Sequence, residues 1–280
     1  MKSTGCILLG IFLSASVIFA EDNGNYLNYS IPVDAIKVGP QGMRDPEKQE
    51  YLYFAPGMAR SRENLIAIDV IDHDILVKRE LLKDRKKHGV QREWHLNGRP
   101  KVEAPYKNGI MEGVFRAFDD KGALVGQYAM LQGNGTVVIY DSSGRLTSED
   151  QYKNNLRDGL RMERIANLIS LTWSKNGHPI GKGYGFFENS GLAAITFFSN
   201  SGDPVGPVVE FSSAGSLTKK SWYLNNRIVT ETEYAAVASK DPSLPPYYAE
   251  VRQYKQFVSE EVQALLTKYR TMPRVKIPLQ

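Results

Sequence analysis

The sequence predicts a mainly β protein: an elongated antiparallel meander of tandem hairpin repeats, each about 23 residues long, followed by a C-terminal amphipathic helix. Three observations carry this. A glycine-and-aromatic pattern recurs at near-constant spacing, turn residues fall at both ends of each unit, and a proline-rich break precedes a stretch with helical periodicity.

The pattern is Gly, four residues, an aromatic, three residues, Gly. It occurs in full at residues 89–98 (GVQREWHLNG), 113–122 (GVFRAFDDKG), 135–144 (GTVVIYDSSG) and 206–215 (GPVVEFSSAG). Gly159 and Gly183 fill the gap at the same spacing, so the array has about six units. The unit opening at Gly159 places Arg164 and Leu168 where the others have the aromatic and the second glycine. The unit at Gly183 is one residue short and keeps Phe187 and Gly191.

Each unit reads as a hairpin because its first half ends in turn chemistry, with Gly98, Gly122, Gly144, Gly191 and Gly215 supplying positive φ at no steric cost. Its second half ends in an aromatic and a further turn, as in Tyr106-Lys107-Asn108-Gly109 and Tyr152-Lys153-Asn154-Asn155. Asn-Gly between apolar runs is a strong hairpin signal, so the strands should follow one another in a continuous meander.

Trp94, Phe118, Tyr140, Phe187 and Phe211 hold one position in successive units. With two strands per unit they should recur every ~9.6 Å on one face, as a ladder. Such a ladder fills a one-sided core by cross-strand packing, and this reading is preferred. The alternative is that part of it stays in solvent and stacks on a periodic ligand such as a glycan or an extended peptide.

These units, with the Tyr-Lys-Asn-Gly-like step that follows them, resemble the MORN-repeat variant family (membrane occupation and recognition nexus), whose bacterial arrays are often labelled YwqK-type antitoxins. The resemblance covers residues 83–234 and implies interaction or scaffold roles, since a shared hairpin and no catalytic residue unites the family.

Residues 21–82 lack the repeat; runs such as 51–54 and 65–71 alternate or are β-branched and predict strands that cap or extend the sheet. The array itself spans 83–240. Beyond it, residues 241–246 (DPSLPP) break the β pattern, and Tyr248, Val251, Val258, Val262, Leu265 and Tyr269 recur at helical spacing up to Pro273. This helix should dock on the protein's own sheet; a partner or a membrane surface are the other possible seats.

Residues 1–20 carry Lys2, an apolar run over 7–19 and the small Ala20 before Glu21-Asp22, which is the pattern of a secretory signal peptide. The expected location is therefore secreted or periplasmic, with no membrane span, since the run is shorter than the roughly 20 residues a bilayer requires. Cys6 is the single cysteine of the 280 residues, so cleavage after Ala20 leaves no thiol for catalysis, disulfides or metal. Basic residues number 35 against 31 acidic ones, spread along the chain, and no nucleic-acid patch is evident.

No catalytic residue, metal site or cofactor is expected. The four histidines lie outside protease, P-loop and nucleophile-elbow contexts. Asp72-His73-Asp74 could serve as a base or hold a divalent ion, but on a strand its carboxylates face away from the imidazole, and a solvated turn is preferred. Function is accordingly expected to be non-catalytic binding of a protein or polymer. The alternatives are an exported hydrolase with a site outside the repeats and an immunity protein of the antitoxin kind.

Overall fold

The computed structural model describes residues 25–141 and 143–275; the signal segment, Cys6 and the last five residues lie outside them. Strands β1 (Ile36–Gly42), β2 (Lys48–Phe54), β3 (Leu65–Asp72) and β4 (Ile75–Lys83) precede the repeats. They share a sheet with β5 (Lys86–Lys87), β6 (Gly89–Trp94), β7 (Pro100–Lys107), β8 (Ile110–Met111), β9 (Gly113–Phe118) and β10 (Leu124–Met130). A second sheet holds β11 (Gly135–Tyr140), β12 (Leu146–Lys153), β13 (Leu156–Ile165), β14 (Leu168–Lys175) and β15 (His178–Phe187), then β16 (Leu192–Phe198), β17 (Gly206–Phe211), β18 (Leu217–Leu224) and β19 (Arg227–Val229).

Both sheets are antiparallel meanders, ordered β1-β2-β3-β4-β6-β7-β9-β10 and β11 through β19, with β5 on β4 and β8 on β7. The expected continuous meander is therefore interrupted once, between β10 and β11. Their backbones are nearly in contact there, since a Cβ on Gly126 would stand 2.7 Å from the Val138 carbonyl oxygen. Asn155 ties the sheets together: its Oδ1 accepts from the Met111 amide at 2.8 Å and its Nδ2 donates to the Gly109 carbonyl at 2.9 Å.

Two kinds of turn alternate. One has consecutive left-handed residues, as at Asn108-Gly109 (φ 51 and 86), Asn154-Asn155 (51 and 66) and Asn176-Gly177 (50 and 87). That is the primed hairpin turn, whose twist matches the strands. These turns also stack: Gly109 donates to Lys87 O, Gly133 to Met111 O, Asn155 to Gly133 O and Gly177 to Arg157 O, each at 2.7–2.9 Å. The other kind closes on a glycine, with Gly98, Gly122, Gly144 and Gly215 at φ 77 to 91. Gly144 also takes the C-terminal tail, because Val275 donates to its carbonyl at 2.9 Å.

The short unit corrects two assignments. Gly191 does not have the left-handed backbone of the other turn glycines. Phe187 is not a rung either; its amide and carbonyl make the bonds that His95, Asp119, Asp141 and Ser212 make, one residue after each aromatic. The rung is Phe186, which pairs with Leu192 across the same register shift that joins Tyr140 to Leu146 and Phe211 to Leu217.

The C-terminal region holds two short helices in place of one. Helix α1 (Glu231–Ala238) begins inside the stretch assigned to the array, where Thr230 accepts from the Glu233 amide as N-cap. A 3-10 turn (Val251–Phe257) and helix α2 (Glu260–Thr271) follow, and Ser259 caps α2 by accepting from the Val262 amide. That fresh cap divides the periodic positions between two elements, with Val262, Leu266 and Tyr269 buried on α2.

The two sheets bury opposite faces. In the second sheet Met162, Leu171, Phe186, Val209, Phe211 and Trp222 point to the ladder face and pack under Tyr234, Tyr254, Val262, Leu266 and Tyr269. In the first sheet the cluster is Met111, Phe115 and Met130, with Tyr106, Tyr128 and Tyr152 against it. Phe115 lies three residues from Phe118 on β9, hence on the other side of the strand.

Candidate binding surfaces

The ladder splits by half. Phe186 (1% exposed) and Phe211 (5%) are core, and Tyr140 is half-buried against the same cluster. Trp94 and Phe118 are half-buried and lie outside that cluster. Around them the first sheet's ladder face is charged, with Glu103 between Arg92 (3.5 Å) and Arg116 (3.6 Å). Arg164 occupies the rung of the unit that lacks an aromatic. Its side chain is only 5% exposed and pairs with Glu188 at 3.1 Å, while it also donates to the carbonyls of Leu146 and Tyr269.

On the face away from the helices, the second sheet has an open trough of about 330 Å3 across β13–β16. Gly183 and Gly185 form its floor; Ile165, Leu168, Ala194 and Phe198 give it apolar walls, and Ser170, Thr172, Thr196 and Glu163 add polar groups. Ile165 is 61% exposed, which is a large apolar surface to leave in water. The signal for this trough was present in the sequence as glycines alternating along β15 (Gly181, Gly183, Gly185), which strip one face of side chains.

Between the trough and the tyrosine cluster sits Asp150, buried on the same face. Arg157 and Arg161 each bring Nε to 3.4 Å from its Oδ1, close enough for Coulomb attraction but off line for hydrogen bonds. Burial pushes the Asp150 carboxyl above its ordinary value of 3.8, and the two arginines only partly offset this. A proton is therefore held more tightly in the folded state, so the contribution of Asp150 to stability is greatest below 3.8 and declines as pH rises through the raised value. Asp150→Asn should remove that decline; denaturant midpoints of wild type and variant, compared at pH 4 and 7, test this, and parallel pH profiles would refute it.

Three of the four histidines have local partners. His73 lies in a primed turn (φ 49) and pairs with Asp72 at 2.7 Å and Glu47 at 3.4 Å, which raise its pKa through the Asp72 hydrogen bond first. His88 is buried between Tyr26 and Tyr29 and meets Asn108 at 2.9 Å; His95 Nε2 lies 3.0 Å from the Phe118 carbonyl. Among the described residues no group of three His, Cys, Asp or Glu side chains is placed to hold a metal ion, and no helix is long and apolar enough to cross a membrane.

Stacked hairpins of near-constant length, joined by two alternating turns, define a β-hairpin repeat protein. Two of the units match the family model of the MORN repeat variant, at residues 87–108 and 134–154, which correspond to β5–β7 and to β11–β12 with its closing turn. No curated protein matches the chain.

Proposed function

We propose that this is an exported, non-catalytic binding or scaffold protein that presents its repeat β-surface to a protein or polymer partner. MORN repeats generally mediate binding, and the observation that carries the reading is the glycine-floored trough. It is open, elongated across four strands and mostly apolar, with hydroxyls spaced along it for an extended ligand. The first twenty residues support export, because their charge, apolar run and small-residue boundary are what the export machinery reads.

Gly185 offers a clean test. It lacks a left-handed φ, and an added Cβ would meet only ordinary contacts with Ala193 and Ala194. Gly185→Val should therefore fill the trough at a stability cost within about 1 kcal/mol. In affinity capture with immobilised mature protein, material retained by wild type and lost by the variant supports the proposal. Equal recovery on both would refute it. Export is tested separately by N-terminal sequencing, which should find the product starting near Glu21; an intact Met1 on a cytosolic product would refute that part.

A further inference from the structure

We propose that the cavity where the end of α2 meets the aromatic-free rung of the ladder binds a phosphate-bearing small molecule. This cavity, about 270 Å3, is lined by Arg145, Leu146, Arg164, Tyr269, Arg270, Met272 and Arg274. It is thus separate from the trough and lies on the other face of the sheet.

Four guanidinium groups converge here. Glu188 serves two of them, at 2.7 Å from Arg145 and 3.1 Å from Arg164, and Asp141 lies within electrostatic reach of Arg274. Four positive charges against two negative ones leave an excess of two, which a phosphate dianion matches. Guanidinium forks also suit the paired oxygens of a phosphate better than a point charge does.

Some of this arginine density serves the fold. Arg164 spends donors on the Leu146 and Tyr269 carbonyls, and Arg270 spends Nη2 on those of Phe187 and Ser190. Yet Arg270 Nε and the neighbouring Ser190 Oγ are buried without hydrogen-bond partners among the described residues. Arg145 has a side chain 35% exposed and shares the Glu188 carboxylate with Arg164; Arg274 is exposed on the tail. Arg145 and Arg274, both on the cavity lining, are the groups an incoming anion can reach. At ~30 Å3 per water molecule the cavity has room for about nine, which is more than a bare phosphate fills, so the ligand carries further atoms on its phosphate.

The test uses the mature protein at fixed ionic strength, titrated with glycerol 3-phosphate, inorganic phosphate or sodium chloride, and reads melting temperature and calorimetric affinity. Both phosphates should bind and raise the melting temperature while chloride does not. Arg145→Gln and Arg274→Gln should each weaken glycerol 3-phosphate binding about tenfold or more. Arg60→Gln, at an exposed position outside the cavity, should leave binding unchanged. Arg145→Gln keeps the Arg164–Glu188 pair and Arg274→Gln alters an exposed tail residue, so circular dichroism should show both folded. An equal response to chloride, unchanged affinity in both cavity variants, or binding of inorganic phosphate without the ester would each overturn the proposal.

Discussion

Phe186→Ala should destabilise the protein by about 3–5 kcal/mol, whereas Trp94→Ala and Phe118→Ala, at the equivalent position four and three units earlier, should cost only about 1–2. The difference follows from what covers each rung. Phe186 is 1% exposed beneath α2 and stacks on Tyr184, so truncation leaves a cavity that the surrounding side chains can only partly fill. Trp94 and Phe118 already border water, and the space they vacate opens to it. Urea midpoints of the three variants measure this, and equal losses at all three positions would mean that the ladder face is covered along its whole length.

Arg164→Ala should be of similar size, about 3–5 kcal/mol, because it breaks a buried ion pair and strands two carbonyls at the seam with α2. An apolar replacement of both charges, Arg164→Met with Glu188→Leu, should recover the greater part, since each desolvated charge then goes with its partner. The remaining difference reports the loss of the Leu146 and Tyr269 contacts and of the Arg145 partner. A double variant no better than Arg164→Ala, by the same urea measurement, would show that the ion pair is worth little and the carbonyl contacts nearly everything.

The hairpins were legible because turn chemistry is local: Asn-Gly and Asp-x-x-Gly report backbone dihedrals whatever surrounds them. The one-residue slip at Phe187 arose from counting forward from Gly183 through a unit that is one residue short. Counting back would have placed the rung, since each aromatic stands six residues before the strand residue it pairs with, as Phe118 does before Leu124, Tyr140 before Leu146 and Phe186 before Leu192. Helix α1 also had a readable signal, with Thr230 followed three residues later by Glu233 in the capping-box spacing. The side on which each sheet is buried was not readable. Periodicity shows that a strand has two faces; only the docking of distant segments, α2 on one half and the tyrosine cluster within the other, decides which is dry.

The stacked primed turns give the array a direction. Each turn amide reaches back to the carbonyl of an earlier hairpin, from Gly109 to Lys87 and onward to Gly177 and Arg157, so every link is a donor toward the N-terminus and an acceptor toward the C-terminus. Such a row behaves as a polar chain along one edge of the molecule, and it tolerates change only in whole links. Adding or removing two strands keeps every link facing its neighbour; adding or removing one carries all later primed turns to the opposite edge and severs the row there. The hairpin, and not the strand, is therefore the smallest piece by which this architecture can lengthen or shorten.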